Sequence, residues 1–176
     1  EAEYAEAKAA HSGWKFGFTQ SKKINSKKLI QEIAKSTKCF PKFKNDGTFG
    51  FNTIKDNYTV EEYKADTTTL IKESEVISCS FKKTKPEQIY KNVTVSYNKD
   101  YAQDSYLKTT EKGLYDSGDD PYYGIEDSAD AHLEFESDYI RHSADDGFTA
   151  NKLASFLFRQ YKNDHLLFNF LYNISI

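Results

Sequence analysis

The residues best suited to chemistry in this chain are acidic. Between Asp116 and Asp146 stand eleven carboxylates and a single Lys or Arg, Arg141. Asp116, Asp119 and Asp120 lie close together in a glycine-containing stretch, as calcium ligands often do. Their spacing does not match the twelve-residue EF-hand loop. A calcium site there is one expectation, and no other cofactor is implied. A solvated acidic face, or one complementary to a basic partner, is the competing expectation. The same carboxylates offer pairs for glycoside hydrolysis, with no environmental sign of split pKa values. Tyr122 and Tyr123 follow in the same stretch and can stack on sugars or bases, whereas Trp14 sits in an alternating segment and is expected in the core.

The remaining chemistry is thin. His11, His132, His142 and His165 are scattered. His132 and Glu134 can share a strand face with His142 nearby, which outlines a metal site on paper. There is no Gly-x-Ser-x-Gly, Walker loop, His-Glu-x-x-His or dinucleotide fingerprint, so the chain reads as a non-enzyme before an enzyme. Cys39 and Cys79, forty residues apart, fit neither a disulfide scaffold nor a zinc site. Both are expected as buried thiols, with Cys79 on the apolar face of a strand. Sequons occur at Asn57, Asn92 and Asn173, but nothing in the sequence points to a secretory route.

These residues must be positioned by a fold that is rich in strands. At 176 residues the chain makes one domain or two small ones and can bury an ordinary core. Aromatics are 15% of the residues, mostly Tyr and Phe, which strands favour. Mean hydropathy is −0.75, and no run approaches the ~18–20 apolar residues of a membrane helix. No signal peptide is visible. Residues 1–112 carry 20 Lys+Arg and 15 Asp+Glu, a net of +5; residues 113–176 carry 4 and 12, a net of −8. Neither part is extreme enough to argue for nucleic acid. The change in composition at residue 113 suggests a basic sub-structure, 1–112, and an acidic one, 113–176, or a single continuous domain.

Periodicity supplies the elements. The alanine-rich residues 1–10 favour helix and read equally as an appended leader. Residues 13–19 alternate Trp14, Phe16 and Phe18 and predict a short strand. Asn25 or Ser26 caps an amphipathic helix to about residue 38, with Leu29, Ile30, Ile33 and Ala34 on one face. A hairpin follows, 39–44 and 48–54, around Asn45-Asp46-Gly47. Residues 57–63 look irregular. Residues 76–83 predict a strand with Ile77, Cys79 and Phe81 on one face, ended by Pro86. Residues 93–97 predict another, with Val93, Val95 and Tyr97 inward. Residues 113–124 read as a loop. Leu133, Phe135 and Tyr139 mark a strand, and Thr149 starts a second amphipathic helix with Leu153, Phe156, Leu157 and Tyr161 as its stripe. In the last segment Leu166, Phe168, Phe170, Tyr172, Ile174 and Ile176 share one face, which predicts a strand covering a core. That strand's abrupt end, and the absence of methionine, suggest a piece of a longer polypeptide or a processed product. The element order favours α+β, mainly antiparallel with barrel-like sheets and two amphipathic helices.

One stretch resembles a known family. Residues 76–101 run from Val-Ile-Ser-Cys-Ser-Phe-Lys-Lys-Thr into Asn92-Val93-Thr94-Val95-Ser96-Tyr97. This resembles the strand–turn–strand of tail and baseplate-hub proteins of tailed bacteriophages. The later order is similar too: Tyr123-Gly124-Ile125-Glu126, an amphipathic helix, then a long alternating strand. The resemblance implies a structural virion component located in the phage particle. It implies rings, often trimeric, made with other copies and other tail proteins, with no nucleic acid and no membrane. It carries no catalytic residues to transfer. The alternatives are a carbohydrate-binding β-rich module and a fragment of a glycan hydrolase.

Overall fold

The computed structural model of the chain describes residues 2–19, 22–43, 47–55, 76–113, 131–141 and 148–172. Among these residues the fold is α+β with three α-helices and seven strands. The helices are α1 (Ala2–Ala10), α2 (Ser26–Lys35) and α3 (Phe148–Tyr161). The strands are β1 (Cys39–Phe43), β2 (Phe49–Thr53), β3 (Val76–Lys83), β4 (Asn92–Asp100), β5 (Ser105–Gly113), β6 (His132–Glu136) and β7 (Leu166–Tyr172). The barrel-like expectation is corrected: the described strands form separate sheets, β1–β2, β3–β7 and β5–β4–β6, and none closes. All pairings are antiparallel except β4 with β6. No helix among the described residues is long and apolar enough to cross a membrane.

The core lies where α3 covers the three-stranded sheet. Val93, Val95 and Tyr97 alternate inward along β4, as their period of two requires, and pack with Leu153, Ala154 and Leu157 of α3 and with Ile140. Trp14, Leu133 and Phe135 pack against this cluster from its margin. The stripe expected on α3 is buried at Leu153, Phe156 and Leu157, while Tyr161 is exposed and meets Tyr90 edge-on at 5.9 Å. The core draws residues from both sides of position 113.

Local chemistry sets the element ends. The Asn25 side chain accepts the Lys27 N–H and caps α2, as its place in the sequence implied. Gly47 takes a φ of +79° at the hairpin turn, a conformation that only glycine adopts without strain. Pro86 opens a single 3₁₀ turn, Pro86–Gln88, after β3. The segment 13–19 corrects the strand expected there. It joins no described sheet; its Gly17 N–H goes to Tyr139 O and its Lys15 N–H to the buried Thr149 Oγ1. Strand β5 carries no apolar alternation and escaped the sequence reading. It is a polar edge strand whose Thr110 hydroxyl bonds Asn151 of α3.

The last strand also departs from expectation. Among the described residues β7 covers no core. It pairs with β3 as a two-stranded ribbon, and its leucines and phenylalanines face solvent. A reciprocal Thr84–His165 pair and a Lys83–Asp164 ion pair at 2.6 Å fasten the base of the ribbon near the C-terminal end of α3.

Candidate interaction surface

The residues singled out for ligand binding, Tyr122 and Tyr123, and for calcium, Asp116, Asp119 and Asp120, lie outside the described residues, as does His142. His132 is in β6, where its Nε2 meets Thr94 Oγ1 at 2.6 Å across the parallel pair. Among the described residues no three His, Cys, Asp or Glu side chains converge as metal ligands would.

The polar clusters that do form work as fasteners. Asp138 accepts the Tyr106 hydroxyl at 2.6 Å and lies 3.4 Å from Lys99 Nζ, which also reaches Asp104 at 3.0 Å. Burial first, then the bond to Asp138, pushes the Tyr106 phenol well above its ordinary range. The bond to Asp104 is the largest of the effects holding the Lys99 ammonium above its usual value. Tyr139 donates to Glu32 at 2.8 Å and ties α2 to the segment after β6; burial and that bond raise its phenol as well. Raised phenols hold their protons and serve as donors, the opposite of what a base or nucleophile needs.

Cys39 is buried beside His11, at 4.0 Å from Nδ1, and beside Thr53 Oγ1 at 3.5 Å. This is no catalytic pair. His11 Nδ1 lies 2.7 Å from Ala7 O, so it donates there, and Nε2 accepts the Lys38 N–H at 2.9 Å. With both ring nitrogens engaged, neither takes the thiol proton, and desolvation pushes the thiol above its ordinary value. Cys79 corrects the expectation of two buried thiols. It lies on the apolar face of β3 as expected, but that face is exposed.

What the fold presents outward is apolar. Register places Cys79, Phe81 and Lys83 beside Phe170, Phe168 and Leu166, on one face of the β3–β7 ribbon. Phe168 stacks on Phe170 at 5.9 Å and tilts against Phe81 at 6.2 Å. Phe81 remains 68% exposed and Phe168 52%. The opposite face mixes Ser78, Ser80, Lys82 and Asn169 with Leu167 and Leu171. A two-stranded ribbon that no described element covers is marginal in water, so an aromatic face of this kind calls for a covering layer.

A second apolar surface lies between α2 and the β1–β2 hairpin. An open groove of about 450 Å³ is lined by Ile30, Pro41, Phe43 and Phe49, with Lys27 and Lys42 beside them. Phe43 is 76% exposed and meets Phe49 edge-on at 5.5 Å; Phe49 in turn meets Phe51 at 5.1 Å. The apolar face of α2 contributes no fully buried residue, which leaves Ile30 at the groove. Ion pairs from Glu3 to Lys42 at 3.6 Å and from Glu6 to Lys55 at 3.2 Å hold α1 to this hairpin. Sequence periodicity marked Ile30 on the apolar face of its helix; it carried no signal that this face looks outward. Comparison with protein-family models, with curated proteins and with solved structures gave no match to this chain.

Proposed function

We propose that the chain is a structural assembly protein, a tail or baseplate-hub component of a phage particle, that works by packing against other copies of itself and other tail proteins. The exposed aromatic face of the β3–β7 ribbon carries this reading. An apolar face of that size is a liability on a solitary protein and an asset on a subunit. Support also comes from the resemblance of residues 76–101 to hub strands. On this reading the oligomer is a closed ring, a trimer, within the virion.

The test is the composition of purified particles. Peptides of this chain are expected in them by mass spectrometry at a fixed copy number, a multiple of three. Their absence from intact particles that are otherwise complete contradicts the proposal.

A further inference from the structure

No described element covers the aromatic face of the β3–β7 ribbon. We infer that this face packs on the same face of other copies of the chain. This deepens the assembly reading and rests on it for the number of copies, three about a common axis.

Alternation in both strands marks which face is packed. Register puts Cys79, Phe81, Phe168 and Phe170 on one side of the ribbon. Ser78, Ser80, Lys82 and Asn169 lie on the other, with Leu167 and Leu171 among them. Alternation of this kind belongs to an antiparallel sheet with one face covered and one in water. Sheets that pack face to face interdigitate their side chains about 10 Å apart. Ribbons of other copies supply such a layer and bring the strand count past the pair that is marginal alone.

The area matches what one partner gives to a stable contact. Phe81, Leu166, Phe168 and Phe170 keep 68, 55, 52 and 46% of their surface exposed. At about 200 Å² for a large side chain, these four present about 440 Å² of apolar surface per copy. Interfaces are about 57% apolar, so this corresponds to about 770 Å² of total surface per copy. An interface of ordinary size takes about 800 Å² from each partner. By the same measure Ile30, Phe43 and Phe49 at the groove present about 320 Å², so the groove covers less of the ribbon than a second ribbon does.

Like faces bring like charges together, so a contact of this kind needs a face without unbalanced charge. The one charged residue that register places on this face among the described residues is Lys83. It stands at the end of the face beside Leu166 and is paired with Asp164 at 2.6 Å. Between that end and Cys79 the face carries only apolar side chains.

Charged variants of the two faces test the inference. Phe168→Glu and Phe81→Glu place a charge on the aromatic face, and each is expected to be monomeric by light scattering. Leu171→Glu charges the opposite face of the same ribbon, and Phe43→Glu charges the groove; both are expected to keep the wild-type mass. Circular dichroism checks that each variant keeps the fold. Phe168→Glu mixed with wild type is expected to stay out of the assembly, whereas its intact groove would admit it if the groove received the ribbon. Cys79 lies on the contact face and is exposed in the single chain, while Cys39 is buried, so Cys79 reports on the contact. Its reaction with a maleimide is expected to be about tenfold slower, or more, in the assembled wild type than in Phe168→Glu. Equal rates overturn the inference, as do an aromatic-face variant that keeps the wild-type mass, a Phe168→Glu chain that joins the wild type, or a Leu171→Glu or Phe43→Glu chain that is monomeric. A wild type that is monomeric alone yet present in purified particles also overturns it and leaves the assembly reading standing. Assembly through this face in pairs keeps the inference and removes the ring of three.

Discussion

Leu153 and Phe168 are both large and apolar, and both sit in regular elements, yet they do different work. Leu153 is fully buried between α3 and β4, whereas Phe168 keeps 52% of its surface exposed on the ribbon. Leu153→Ala should cost about 2–5 kcal/mol by urea unfolding, and Phe168→Ala at most about 0.5 kcal/mol when measured on the monomer. A second residue-scale expectation concerns alkaline pH. Cys39, Tyr106 and Tyr139 all hold their protons more tightly in the fold than in the unfolded chain, chiefly through burial, and Lys99 does so chiefly through its bond to Asp104. A native state that binds more protons than the unfolded one loses stability as pH rises. The contribution is full below the ordinary thiol and phenol values, about 8.5 and 10, and declines above them. The melting temperature should therefore fall between about pH 8.5 and 11, and Tyr106→Phe with Tyr139→Phe should flatten that decline. A melting temperature that does not change over that range contradicts this assignment of the raised groups.

At the scale of elements, periodicity read well where one face meets a core or a cap is explicit. The β4 alternation, the α3 stripe and the Asn25 cap each encode a local physical demand. Asn25→Ala should cost about 1 kcal/mol and speed amide exchange across Ser26–Lys35, a loss that Asn25→Ser should restore. Strand β5 was illegible because an edge strand packs through Tyr106 and Thr110 and needs few apolar side chains. Segment 13–19 misled for the opposite reason. Trp14, Phe16 and Phe18 alternate in sequence, yet only Trp14 packs on the core and the backbone bonds go to Tyr139 O and Thr149 Oγ1 instead of a strand. The ribbon shows the limit most clearly. Alternation of Leu166, Phe168 and Phe170 states that a face is apolar; it does not state whether this chain or another covers it. The candidate carboxylates and tyrosines at 116–123 were found by composition alone and fall outside the described residues.

At the scale of the whole molecule, one layer of helix over sheet buries the core, and two apolar surfaces lie outside it on the ribbon and the groove. A protein of this design is expected to bury those surfaces against other chains. The measurement that bears most directly on this is the solution mass of the chain, by light scattering over a range of concentrations, beside that of Phe168→Glu. The wild type is expected at a defined multiple of 20.3 kDa, three being the number that the hub resemblance implies, and the variant at 20.3 kDa. A wild type that remains at 20.3 kDa to its highest soluble concentration, or a variant that keeps the wild-type mass, contradicts assembly through the ribbon.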